Sequence, residues 1–131
     1  MTTPIPFQLE RVNEGNAMDL TSGKFTAPRP GIYFFSFTGQ TGFPGGSSPA
    51  GLGVGLYLNG GKIGASENEE ENPTDNQNNQ VILQSTLHLN KGDQVWMQIT
   101  WMSSGTYLYD DVNHLNHFTG FMLKEEIVAS L

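Results

Sequence analysis

The chain of 131 residues contains no cysteine, and it has six lysine and arginine residues against thirteen aspartate and glutamate residues. The lack of cysteine excludes disulfides, thiolate zinc sites and cysteine nucleophiles. The formal net charge of −7 argues against a nucleic-acid partner, because phosphate neutralisation needs a basic stripe. We therefore expect an acidic domain whose fold depends on its apolar core alone.

Long apolar runs and helical periodicity are also lacking. No stretch approaches the ~20 apolar residues of a membrane-spanning helix, so we expect no membrane insertion. Residues 1–4 carry neither the basic nor the apolar part of a targeting signal. No Gly-X-Y repeat or heptad pattern indicates a stalk. The length fits one domain over 1–131, in which we expect residues 1–5 to be a flexible N-terminal extension.

What the chain does contain is a set of short β-strand signals. Runs of aromatic and β-branched residues alternate with Gly, Pro, Asn and Asp, a pattern typical of an all-β sandwich. The predicted strands cover residues 7–12, 32–38, 52–58, 81–89, 94–101 and 118–124. Asn59-Gly60 predicts a two-residue hairpin turn. Residues 67–79 and 103–115 are predicted to be loops, the first of them rich in acidic and amide side chains.

The strand over 32–38 is apolar on both faces. Tyr33, Phe35 and Phe37 alternate with Ile32 and Phe34, so one set faces the core while the other set needs a cover of its own. A partner subunit is the simplest cover, and a loop of the same chain is the alternative.

Two more predictions concern strand faces. Gly51, Gly53 and Gly55 fall on one face of their strand and leave a groove that another backbone or a large side chain could fill. Strict alternation in the strand over 94–101 puts four apolar residues on one face. They are Val95, Met97, Ile99 and Trp101.

Several segments occur in an order that is specific when they are taken together. They are Gly23-Lys24-Phe25-Thr26-Ala27-Pro28, Pro30-Gly31-Ile32-Tyr33-Phe34-Phe35-Ser36-Phe37, Leu58-Asn59-Gly60, Leu87-His88-Leu89-Asn90-Lys91-Gly92-Asp93-Gln94-Val95-Trp96 and Phe118-Thr119-Gly120-Phe121-Met122-Leu123. Over nearly the whole chain this order resembles the C1q globular domain of the C1q and tumour-necrosis-factor superfamily. The lack of cysteine departs from many vertebrate members.

The resemblance implies a ten-stranded jelly-roll β-sandwich that packs as a compact homotrimer, is extracellular and carries binding loops at its apex. It also implies core or trimer-interface roles for five aromatic residues. These are Tyr33, Phe35, Trp96, Phe118 and Phe121.

The acidic loop is a candidate calcium site. Carboxylate and amide oxygens suit a hard cation, and the resemblance implies calcium near the apex in some members. The candidate ligands are Glu71, Asp75 and Asn79. The alternative is a solvated charge run. We expect that the domain requires no cofactor, with calcium as an optional ligand.

The second candidate site is the segment Tyr107-Leu108-Tyr109-Asp110-Asp111. Aromatic side chains supply rigid recognition area, so Tyr107, Tyr109, Asp110 and Asp111 are candidate ligand-binding residues, and a plain loop is the alternative. Neighbouring carboxylates on an extended chain point to opposite faces, and no nucleophile accompanies them. We therefore expect no catalytic residues.

Two functions remain open from the sequence. One is a non-enzymatic trimeric head that recognises protein, glycan or surface-pattern ligands through its apical loops, with optional help from calcium. The other is a structural module that trimerises a longer fibrous, matrix or coat protein and binds no dedicated ligand. Neither the sequence nor the resemblance identifies a ligand, because fold alone does not fix function.

Overall fold

A computed structural model describes residues 3–7, 9–11, 13–46, 48–74, 77–110 and 114–127. Nine strands and one short 3₁₀ turn (Glu14–Asn16) lie within these ranges. The strands are β1 (Met18–Asp19), β2 (Lys24–Thr26), β3 (Gly31–Gly42), β4 (Ala50–Leu58), β5 (Gly61–Glu70), β6 (Asn78–Leu89), β7 (Gln94–Met102), β8 (Tyr107–Leu108) and β9 (His117–Glu125). No helix in the described ranges has the length and apolar character needed to cross a bilayer. The all-β prediction is confirmed.

The strands form two antiparallel sheets. The five-stranded sheet has the order β1-β2-β7-β4-β5. In the four-stranded sheet β3 is central, with β6 on one side and β9 and the short β8 on the other. Asn59 and Gly60 both have positive φ, +50° and +95°, as a type I′ turn requires. The predicted hairpin is therefore the β4–β5 connection.

The core lies between the two sheets and follows the alternation of side chains along each strand. Tyr33, Phe35 and Phe37 of β3 are at most 1% exposed. They pack against Leu52, Val54 and Leu56 of β4 and their neighbours. The aromatic rings meet directly, with centroids 5.1 Å apart for Phe25 and Phe35. Burial of each such side chain contributes about 1.5–3 kcal/mol, so this alternation fixes which face of β3 points inward.

The predicted bounds of the acidic loop are wrong at both ends. Glu67–Glu70 belongs to β5, and Asn78 and Asn79 belong to β6, so the acidic loop covers only residues 71–77. The strand β5 is at the edge of its sheet, where charged side chains are tolerated because one face and one edge meet water.

The first predicted strand, over 7–12, is not a strand in its described residues 7 and 9–11. Before this segment, Pro4 makes an isolated bridge to Gln98. Phe7 is held by side-chain packing instead, since its ring stacks on Phe118 with the centroids 5.7 Å apart.

The prediction for Trp101 is also wrong. Gly53 of β4 pairs with Trp101 and Val54 pairs with Ile99, so the β7 register shifts by one residue between them. A β-bulge of this kind reverses the alternation beyond it. Trp101 therefore leaves the core face and lies on the outer face of the five-stranded sheet, over the glycines of β4.

Candidate functional site

Three connections meet at one end of the sandwich, and we call them the apical loops: residues 43–49, 71–77 and 103–116. The register brings them together, because Gly42 pairs with Asn78 and Tyr107, and Ala50 pairs with Glu70, at the same end. Backbone hydrogen bonds join the first two loops. The Phe43 N–H donates to the Gln77 carbonyl (3.1 Å), and the Gly46 N–H donates to the Pro73 carbonyl (3.0 Å).

The third apical loop carries the candidate ligand-binding residues. Tyr107 is 45% exposed, and its ring centroid lies 6.3 Å from that of the half-buried Tyr109. Asp110 is exposed, and its Oδ1 accepts a hydrogen bond from the Leu115 N–H at 2.6 Å. Asp111 lies outside the described residues. Tyr107 belongs to the short strand β8, so the prediction of an uninterrupted loop over 103–115 is wrong there. Tyr109 and Asp110 follow β8 directly, and the role of these three residues as ligand contacts stays a prediction.

Asn116 holds this loop in place and was missed by sequence reasoning. Its Nδ2 donates to the Tyr109 carbonyl (2.9 Å), while its Oδ1 accepts from the Gln40 N–H (3.2 Å). The Tyr109 N–H donates in turn to the Gln40 carbonyl (2.8 Å). The Asn116 side chain takes the place of backbone strand pairing at this point, because β9 begins only at the next residue, His117. No local pattern could reveal it, because Gln40 precedes Asn116 by 76 positions.

The candidate calcium ligands are divided between loop and strand. Glu71 is exposed in the second apical loop, whereas the half-buried Asn79 belongs to β6. The Asn79 carbonyl accepts a hydrogen bond from Asn68 at 3.3 Å. Asp75 lies outside the described residues. Within the described ranges, no three His, Cys, Asp or Glu side chains lie close enough to hold a metal ion. Calcium binding therefore stays a prediction.

The five aromatic residues with predicted core or interface roles fall into three positions. Tyr33 and Phe35 are in the core, and the half-buried Phe118 stacks on Phe35 with the centroids 5.9 Å apart. Trp96 lies instead on the outer face of the five-stranded sheet, where it stacks on Tyr57. Phe121 is 48% exposed on the outer face of the four-stranded sheet.

The outer face of the four-stranded sheet carries an apolar strip. Phe34 packs against Phe121 across the β3–β9 pair, with the ring centroids 5.4 Å apart. Ile32, Phe121 and Leu123 are 37%, 48% and 55% exposed. We define the apolar strip as Ile32, Phe34, Phe121 and Leu123. No described loop buries it, so the second apolar face of β3 that the sequence indicated is open in a single chain.

Asp93 lies at the opposite end of the sandwich, in the turn between β6 and β7. The Asp93 carboxylate accepts hydrogen bonds from the Asn59 side chain (3.0 Å) and from the Asn90 N–H (2.8 Å). These bonds hold the pKa of Asp93 below its usual value. The residue thus fixes the turn between β6 and β7 next to the β4–β5 hairpin.

The family model for the C1q domain matches residues 1–123. The chain belongs to the C1q domain family. The solved globular domain of zebrafish complement 1qA superposes on this C1q domain with a TM-score of 0.64 and 19% identity, over 95% of this chain and 86% of that one. The jelly-roll prediction is therefore confirmed.

Curated relatives match the same C1q domain by sequence. Human complement C1q and tumor necrosis factor-related protein 9A is 32% identical over 120 residues, which are 92% of this chain and 33% of that protein. Mouse complement C1q tumor necrosis factor-related protein 2 is 32% identical over 122 residues, 92% of this chain and 37% of that protein. The chain thus spans about a third of the length of these relatives.

Proposed function

We propose that this C1q domain is a non-enzymatic recognition head that acts outside the cell, assembles as a homotrimer and binds protein, glycan or surface-pattern ligands through its apical loops. Family membership supports the trimer and the extracellular location. The names of its relatives, which refer to complement and to tumor necrosis factor, support recognition over catalysis.

The observation that carries the proposal is the apolar strip. A strand with large apolar side chains on both faces is stable in water only when both faces are covered. Full burial of an exposed side chain such as Phe121 yields roughly 1.5–3 kcal/mol, and each subunit of a symmetric trimer contributes the same strip. The outer face of the four-stranded sheet is therefore the surface through which we expect the subunits to associate.

Two variants test the location of this interface. Phe121→Lys introduces a charge into the strip, so we expect it to dissociate the trimer in sedimentation velocity at micromolar concentration. Ile63→Lys is the matched control, because Ile63 is 43% exposed but belongs to β5 of the other sheet. We expect this control to keep the wild-type mass. A trimer that survives Phe121→Lys, or one lost in the control as well, would overturn this interface.

Ligand recognition needs a separate experiment. The wild type and a variant with Asp110→Ala and Asp111→Ala are applied to the same glycan and protein arrays. We expect the wild type to bind a subset of spots and the variant to lose them while its mass is unchanged. Binding that is equal for both proteins would exclude this loop as the contact. No binding by either protein would favour the structural trimerisation module.

A further inference from the structure

On the outer face of the five-stranded sheet, the indole ring of Trp101 packs directly against glycines of β4. A Cβ atom on Gly51 would lie 2.5 Å from the Trp101 ring, and a Cβ atom on Gly53 would lie 2.5 Å from its Nε1. Both glycines are thus in close contact with the ring, which fills the groove that the sequence predicted in β4. The register shift in β7 is what places Trp101 here.

One hydrogen bond holds the ring itself, and further bonds hold the chain that follows it. Its Nε1 donates a hydrogen bond to Glu67 Oε2 of β5 at 3.1 Å. Ser103, two residues after the tryptophan, accepts a bond from the Gly51 N–H at 2.9 Å through its side chain. The same hydroxyl lies 2.6 Å from the hydroxyl of Thr106. A ring held on a strand in this way forms a rigid surface, and a rigid surface reduces the entropic cost of binding.

A cleft of about 170 Å³ opens beside the ring. It is lined by Pro49, Ala50, Gly51, Glu69, Trp101 and Ser103. Pockets for small organic ligands and cofactors usually measure ~300–1,000 Å³. The cleft is therefore too small for such a ligand and fits one head group, such as the end of a single side chain.

The charges around the cleft favour a cation. Glu67 is at the edge of the indole ring, and Glu69 lines the cleft. The Glu69 side chain makes no hydrogen bond or ion pair with any described residue. The ion pairs in the described ranges are Arg29 with Glu125 and His88 with Glu126, so neither Glu67 nor Glu69 is neutralised by a cation.

The second tryptophan of the same face provides a comparison. The Lys24 ammonium lies 4.6 Å from the Trp96 ring centroid, and Tyr57 stacks at a centroid distance of 5.9 Å. Trp96 thus has a cation of its own chain in the position that a cation–π contact requires. Among the described residues, no cation lies over the Trp101 ring.

We propose that Trp101 and Glu69 form a binding site for an arginine side chain of a partner protein. The guanidinium group stacks on the indole and pairs with the Glu69 carboxylate, while Glu67 positions the ring. Arginine suits the site better than lysine does because its planar fork both stacks on aromatic rings and pairs with carboxylates. A neutral sugar would also stack on the ring, but it would leave the carboxylate charge unpaired.

The test follows the two indole N–H signals of the full chain by NMR. The probe is a Gly-Arg-Gly peptide capped at both ends, and the controls are the same peptide with neutral citrulline and a methyl pyranoside. We expect millimolar arginine peptide to move the Trp101 signal, which Trp101→Phe assigns by its loss, and to leave the Trp96 signal in place. We expect the citrulline peptide and the sugar to move neither.

Matched charge variants complete the test. Glu69→Gln should weaken arginine-peptide binding by about two- to fivefold, the effect of a partly exposed charge contact. Glu10→Gln removes the same charge elsewhere on the surface and should leave binding unchanged. The proposal would be overturned if the citrulline peptide bound equally well or if both variants weakened binding equally. It would also be overturned, in favour of a glycan ligand, if only the pyranoside moved the Trp101 signal. This cleft is separate from the apolar strip, so either proposal can fail without the other.

Discussion

The close packing of Trp101 on β4 leads to a specific stability prediction for Gly53→Ala. The added Cβ atom would lie 2.5 Å from Trp101 Nε1, 2.7 Å from its Cδ1 and 2.8 Å from the Thr100 Oγ1. Real Cβ atoms do not approach other heavy atoms so closely, so the ring has to move away from the strand. Its hydrogen bond to Glu67 is then lost or lengthened.

The change in the free energy of unfolding is the balance of two effects. Overpacking a well-filled site costs about 1–3 kcal/mol. Replacing glycine by alanine restricts the unfolded chain, which stabilises the protein by about 0.4–1 kcal/mol. We therefore expect Gly53→Ala to lower the free energy of unfolding by roughly 1 kcal/mol.

Gly64→Ala in the adjacent strand β5 is the matched control. Its Cβ atom would meet only the Leu83 Cδ1, at an ordinary contact distance of 3.6 Å. The restriction of the unfolded chain then dominates, and we expect Gly64→Ala to raise the free energy of unfolding by about 0.4–1 kcal/mol.

Urea unfolding of both variants measures the two changes in the free energy of unfolding. All samples have the same protomer concentration, because the stability of an assembled protein depends on it. Tryptophan emission should shift to longer wavelength in Gly53→Ala alone. If Gly53→Ala is as stable as the wild type and its emission is unchanged, the described contact between Trp101 and β4 is wrong.

Two further predictions concern pH and calcium. Because hydrogen bonds keep the folded pKa of Asp93 below its unfolded value, the stability it contributes is present above about pH 4 and is lost as the pH falls further. The urea midpoint of the wild type should therefore fall more steeply below pH 4 than that of Asp93→Ala, and parallel curves would contradict this linkage. For calcium, we expect a chelator to lower the melting temperature relative to millimolar calcium chloride and Glu71→Gln to reduce the difference. Identical melting in both solutions would remove calcium from the proposed function.

The sequence could predict the parts of the fold that depend on local chemistry. Strand alternation identifies the inward face of β3, and the residues Tyr33 and Phe35 are buried as alternation requires. Asn59-Gly60 specifies its turn because few residues adopt positive φ at both positions. The C1q motifs predict the overall topology, which the family model and the zebrafish structure confirm.

The parts that local patterns could not predict depend on partners far along the chain. The bulge opposite Gly53 turns Trp101 outward, and nothing in its own strand marks this change. Glu67 and Glu69 resemble loop residues by composition, yet pairing with β4 makes them part of an edge strand. Asn116 closes the third apical loop by accepting a hydrogen bond from the Gln40 N–H of β3 and donating one to the Tyr109 carbonyl. Each of these features contributes to a candidate site, so the sites were less predictable than the core.

The central claim is that the apolar strip joins three copies of this domain. The most direct measurement is the solution mass of the wild-type chain by sedimentation equilibrium at micromolar concentration. With a protomer of 14.3 kDa, the proposed homotrimer has three times this mass, about 43 kDa. A single species at the protomer mass, with the apolar strip exposed to water, would contradict the account.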